Sequence, residues 1–227
     1  MSEFRYNPRT VSYLAPPESA AIDAQVARIE ARTGVQIATA LVHRSDAYTE
    51  LPWKAFALGA SLSAFVVVVA DAAEPQWVMP YTALVHAMAI LLPAAALAAL
   101  AMFVAPFARL FLRPHRAAIE VRRYAESLFL RRGLFRTRAR TAVLILISLF
   151  ERRVEMLADE GLKSRVSERD WQSVIARMTP HLRDERPFDA LREALDAVEA
   201  LLVSKGCAGS PDAADALPNQ TIEEAGA

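Results

Sequence analysis

The chain reads as an α/β protein: a three-layer α/β/α sandwich around a small mixed sheet, interrupted by a two-helix transmembrane hairpin. Three observations predict this class. Two uncharged stretches, residues 55–70 and 75–108, stand back to back in mid-chain with only Asp71 and Glu74 between them. A strand-like run lies before that apolar block and another after it. Segments with helical apolar spacing accompany both runs, so neither half carries enough strand for a sheet of its own, while together they make one layered domain. The predicted order is an irregular segment at 1–17, a first domain part at 18–50, the hairpin at 51–112, a second domain part at 113–205 and a disordered acidic tail at 206–227.

Pro8, Pro16 and Pro17 break any periodicity at the start. Residues 18–33 predict a helix: Ile22, Val26 and Ile29 form one stripe, and Gly34 is placed to end it. Residues 35–43 read as a strand covered on both sides, with Val35, Ile37, Thr39 and Leu41 on one face and Ala38, Ala40 and Val42 on the other. The hairpin follows, with spans at about 51–70 and 82–105. The second uncharged stretch exceeds the roughly 20 apolar residues that cross a bilayer core. The first reaches that length if Lys54 extends to the membrane surface.

A buried hairpin in a soluble core would keep a polar stripe, and residues 66–70 and 90–104 offer none. Trp53, Trp77 and Tyr81 stand near the span ends, where interfacial aromatics belong. Ala55, Gly59 and Ser63 recur every four residues, with Ala94 and Ala98 as a matching small-residue surface on the second span. Pro93 should kink that span without breaking it. His86, with no acidic companion expected in the membrane, reads as an interfacial histidine.

Beyond the hairpin, residues 115–131 predict a helix with Val121, Ala125 and Leu128 inward. Gly133 allows a turn. Residues 141–150 and 154–158 predict a two-strand hairpin around Glu151, Arg152 and Arg153. Ser167 and Asp170 mark a helix start. Trp171, Val174, Ile175 and Met178 give that helix its apolar face, and Pro180 is expected to close it. Pro187 opens a last helix with Phe188, Leu191, Leu195, Val198, Leu201 and Leu202 as its stripe.

Charge sets the orientation. The inter-span turn has no Lys or Arg, while Arg109, Arg113, Arg116, Arg122 and Arg123 follow the second span. Both polar parts and both termini are therefore expected in the cytoplasm. Net charge is balanced at 26 basic against 26 acidic residues, yet residues 109–140 hold ten arginines opposed only by Glu120 and Glu126. Anionic lipid attracts such a neck by about 1 kcal/mol per charge, so the five arginines named first are expected to face lipid, without invoking nucleic acid. The first 50 residues hold no apolar run fit for a secretory signal. The single Cys207 makes no internal disulfide, and four scattered histidines make no zinc pattern. There is no glycine-rich phosphate loop. No catalytic or cofactor-binding residue is assigned from these patterns.

Residues 22–46 (IDAQVARIEARTGVQIATALVHRSD) resemble the opening helix and strand of the TPM domain family, whose E-x-x-T-x-x-x-I signature appears here as Glu30, Thr33 and Ile37. Residues 141–166 resemble the family's central hairpin, and 171–180 with the last helix resemble its ending. The version with a membrane hairpin inserted is similar to a bacterial group of TPM-domain membrane proteins, which implies residence in the bacterial inner membrane. The resemblance implies an α/β/α sandwich. It also implies one of three roles seen in the family: weak acid phosphatase activity, divalent cation binding, or assistance to membrane complexes. By that resemblance Asp46, Glu151, Asp159 and Glu160, at strand ends, are the candidate ligands for Ca or Mg. The expected function is a membrane-anchored domain that binds or supports another membrane protein, with weak metal-dependent phosphomonoester hydrolysis as the alternative.

Overall fold

A computed structural model describes residues 13–73, 80–137, 140–207 and 220–226. They form two compact units: residues up to Asp46 together with those from Ala118 onward, and Ala47–Ala117.

The first unit is the α/β domain. Helix α1 (Pro16–Thr33) opens with a proline at its first position, and the Glu18 carboxylate accepts from the Ala15 amide at 2.8 Å. Gly34 ends it in the left-handed conformation (φ 69°), its amide donating to the Glu30 carbonyl at 2.8 Å. Strand β1 (Gln36–Arg44) follows. Its neighbour β2 (Ala142–Ser148) lies parallel to it, with Gln36 opposite Ala142 and Val42 opposite Ser148. Strand β3 (Arg153–Ala158) folds back antiparallel on β2, and β4 (Ile222–Gly226) lies parallel to β1 on its other edge. The order is β3-β2-β1-β4, a mixed sheet.

Side-chain alternation divides the core in two. Val35, Ile37, Leu41, Val143, Ile145 and Ile147 face α1, α7 (Glu168–Arg183) and α8 (Pro187–Ser204). Ala40, Val42, Leu144 and Leu146 face α5 (Pro114–Arg131), which contributes Val121, Ala125 and Leu128. This is the three-layer sandwich the sequence predicts. Residues Val143 to Ile147 are all at most 1% exposed. Each such aliphatic side chain contributes roughly 1.5–3 kcal/mol on burial, so β2 is the centre of the domain.

Four segments depart from expectation. The 206–227 tail is not wholly irregular: its Thr221-Ile222 pair finds the open edge of β1, a long-range pairing that composition does not reveal. Residues 208–219 lie outside the described residues. Pro180 does not close α7, because the helix continues to Arg183 and the Pro180 carbonyl accepts from the Asp184 amide at 3.2 Å. Two short helical turns were not foreseen, a 3-10 turn at Leu134–Arg136 and α6 (Glu160–Lys163).

The second unit holds α2 (Glu50–Ala73), α3 (Thr82–Phe103) and the short α4 (Ala105–Arg109). Both α2 and α3 are long and apolar enough to cross a membrane. They pack on each other through small residues. Ala55 and Ala94 are fully buried, and a Cβ placed on Gly59 would lie 2.8 Å from the Ala94 Cα. The Gly59 face is therefore occupied within the hairpin. Pro93 sits inside α3 without ending it. Phe65, Val66, Leu84, Leu92, Met102 and Phe103 stay at least 60% exposed. A soluble hairpin would bury such residues; a lipid-facing one presents them. Lys54 reaches toward the polar end of α2, where its Nζ donates to the Phe111 carbonyl at 3.4 Å and lies 3.8 Å from Glu50. His86 has an acidic companion after all, the Asp71 carboxylate at 3.4 Å from Nε2. Hairpin closure brings together two residues fifteen positions apart.

Candidate functional site

The C-terminal ends of the parallel strands form the rim where open α/β sheets usually present their sites. Asp46 follows β1 at this rim, and Glu151 follows β2. Glu151 is buried. One of its oxygens accepts from the Ser45 amide at 2.9 Å, and the other accepts from the Ser148 hydroxyl. The Ser45 hydroxyl in turn lies 3.1 Å from that of Ser148. Both β1 and β2 end here, so their last residues and the tight turn after β2 must satisfy buried polar groups internally. Ser148 is completely buried and out of reach of any substrate. Next to this knot, the Arg44 guanidinium lies over the Phe150 ring at 4.1 Å.

Asp159 and Glu160 stand elsewhere. Strand β3 runs antiparallel to β2, so its end returns to the opposite end of the sheet, where the Asp159 amide donates to the Ala142 carbonyl. The paired positions Ser148–Arg153 and Val143–Ala158 are five residues apart along β2. That separates Glu151 from Asp159 by about 17 Å of strand. Asp159 caps α6, accepting from the Glu160 amide at 2.7 Å, and takes a forked contact from Arg140 at 2.8–3.1 Å. Burial pushes its carboxyl up, but hydrogen bonds from Arg140 and the Glu160 amide, with the Arg140 charge, outweigh this and hold it below the usual carboxylate range. Glu160 is exposed and bridges to Lys163 at 2.9 Å.

The four expected cation ligands are thus split between opposite ends of the sheet and do not make one site. A hard divalent cation needs six or more converging oxygens, and the oxygens of Glu151 and Asp159 already accept from protein donors. Among the described residues no group of three or more His, Cys, Asp or Glu is placed to hold a metal ion. The residues do not fit a Ca or Mg centre built from these four carboxylates.

Three of the five arginines expected to face lipid have carboxylate partners. Arg116 pairs with Glu50 at 2.9 Å inside the hairpin unit. Within the α/β domain, Arg122 pairs with Glu126 at 3.0 Å and Glu155 at 3.2 Å, and Arg123 with Glu120 at 3.5 Å. Arg109 lies in α4 and Arg113 immediately precedes α5.

A polar cluster that the sequence did not disclose surrounds β4. Glu224 accepts from the Tyr124 hydroxyl at 2.5 Å and lies 3.5 Å from both Arg131 and Arg132. Burial and this carboxylate together raise the Tyr124 pKa. On the other face Glu223 accepts from the Tyr13 amide at 2.6 Å. The Thr221 amide and hydroxyl both donate to Asp23, at 2.9 and 2.8 Å, and Thr39 donates to the Thr221 hydroxyl at 3.1 Å. Only the alternation in Thr-Ile-Glu-Glu hinted at it, and four residues are too few to read as a strand.

Comparison with known proteins agrees with the resemblance read from residues 141–180. Residues 108–201 match the family model described as the TPM domain and labelled TPM phosphatase. The fold is similar to the NMR structure of BA42 protein from the psychrophilic bacterium Bizionia argentinensis, with a TM-score of 0.54 and 12% identity over 94% of this chain and 97% of that one. At that identity the likeness shows the fold alone. No curated protein sequence matches the chain.

Proposed function

We propose that this chain, which carries a TPM domain, is a membrane-anchored binding module of the bacterial inner membrane rather than an enzyme. Its domain works on the cytoplasmic side, where it binds or supports another membrane protein. One observation carries the reading. The crossover from β1 to β2 contains two helices with exposed apolar faces, while the carboxylates at the strand ends are bound to protein donors at opposite ends of the sheet. Such a domain is suited to lipid attachment, and among the described residues these carboxylates assemble no centre for phosphoryl chemistry. Arg109 and Arg113 directly follow the second span in sequence, and a basic juxtamembrane segment favours the cytoplasmic leaflet. Arg123, 71% exposed at its side chain, adds to that charge.

The competing reading, a weak metal-dependent phosphomonoesterase, is favoured by the label of the matching family. The test is p-nitrophenyl phosphate hydrolysis by detergent-purified protein, with and without Mg²⁺ or Ca²⁺, beside the Glu151→Gln and Asp159→Asn variants. A binding module predicts no metal-dependent turnover above either variant. Turnover that needs metal and is lost in either variant would establish the esterase instead.

A further inference from the structure

The fourth strand is held in a way that differs from the two central ones. Strands β1 and β2 are fixed by rows of fully buried aliphatic residues. In β4 only Ile222 enters the core, at 8% exposed, opposite Ala40. Nearly all its remaining contacts are polar and read particular side chains. On one face Thr221 is recognised by Asp23 and Thr39, and Glu223 by the Tyr13 amide. On the other, Glu224 meets Tyr124, Arg131 and Arg132. Gly226 adopts φ +84°, and a Cβ there would run into the Arg44 carbonyl, so that position admits glycine alone.

The β1 edge thus meets a hydroxyl, an apolar side chain, two acids and a glycine in turn, the kind of contact set by which a sheet edge recognises an added strand. Backbone pairing along the β1 edge supplies affinity, and alternate side chains supply selection. We propose that the β1 edge is a strand-acceptor site for extended acidic peptides of the pattern Thr-Ile-Glu-Glu-x-Gly, and that the chain's own residues 221–226 are its resident, displaceable ligand. The partner is then a protein segment of that chemistry, which adds in parallel to β1 once the resident strand leaves. Arg131 and Arg132 select its acidic charge, and the Arg44 carbonyl selects its glycine. A tethered resident competes at an effective concentration in the millimolar range, so the site is self-occupied until a stronger or locally concentrated segment arrives. This inference rests on the domain being a binding module and names what it binds.

The test uses the full chain in detergent and a fluorescent peptide with the sequence of residues 221–227. In the Gly226→Ala protein the resident strand is weakened while its acceptor is intact. That variant is expected to bind the peptide at least tenfold more tightly than the unsubstituted protein. Peptides carrying Glu224→Gln or Gly226→Ala should bind at least tenfold more weakly than the parent peptide. Amide hydrogen exchange is read on the same samples. Residues 222–226 are expected to exchange at least a hundredfold faster than β2 in the unsubstituted protein, and β2 is expected to stay protected in the variant. Equal protection of β4 and β2, loss of β2 protection in the variant, or no gain in peptide binding would each overturn the proposal. Each would mean that β4 is an integral part of the fold. Metal-dependent hydrolysis in the esterase assay would end the binding-module reading without changing this result, and failed peptide capture would not restore catalysis.

Discussion

At Asp159, burial alone would raise the carboxyl pKa, yet hydrogen bonds from Arg140 and the Glu160 amide bring it below 3.8. A carboxylate with a folded pKa below its unfolded value stabilises the fold above the unfolded pKa and loses that contribution as pH falls through the folded one. The domain should therefore lose stability as pH falls below the ordinary carboxylate range, and Asp159→Asn should flatten that part of the profile. Asp170 adds to the same slope. Its hydrogen bonds from Lys205 and Ser167 bring it down to about 2, so a residual slope should survive in the Asp159 variant. Asp159→Ala also removes the cap of α6 and should cost about 1 kcal/mol at neutral pH, read as a shift in urea midpoint. Single residues whose role is local were legible in the sequence. Ser167 and Asp170 form their reciprocal cap, and Gly34 ends α1, because such contacts span three or four positions. The role of Asp159 was not legible, because the strand register that carries it away from Glu151 is a tertiary property.

Helices α2 and α3 meet where Gly59 faces the Ala94 backbone. Backbone cannot yield as a flexible side chain can, so Gly59→Val should force the helices apart. Overpacking of this kind costs about 1–3 kcal/mol, and Gly59→Ala should cost less. A disulfide between cysteines introduced at Ala55 and Ala98 reads the effect: it should form readily in the parent and poorly in Gly59→Val. An unchanged yield would mean that the small-residue face is not what holds the hairpin. Elements with full periodicity were recovered at this scale. The stripes Ile22, Val26, Ile29 and Val121, Ala125, Leu128 are all buried as expected. What escaped were elements too short to show a period, namely α6, the 3-10 turn and β4, and the turn of α7 beyond Pro180.

The sheet of the α/β domain is assembled from both sides of the apolar block. Gln36 pairs with Ala142 and Val42 with Ser148 across the whole insertion. Parallel strands require a long crossover in any case, so the chain can pass through two apolar helices and α5 between β1 and β2 without changing the sheet. This much was legible, because an incomplete strand set on each side of the block demands a common sheet. The division of the candidate carboxylates was not, because the sequence does not give the order of strands or the end of the sheet at which each terminates.

Sheet pairing across the hairpin has a strict consequence for topology. If α2 and α3 span a membrane, both polar parts lie on the same side of it, and the residues between the spans on the other. The most direct measurement places single cysteines at Ala20, Gln76 or Ser173 in a Cys207→Ala background. Each is then exposed to a maleimide that does not cross the inner membrane, before and after permeabilisation of the cells. A spanning hairpin within one cytoplasmic domain predicts immediate labelling at position 76, and labelling at positions 20 and 173 only after permeabilisation. Labelling of position 20 or 173 in intact cells, or protection of position 76 alongside them, would contradict it.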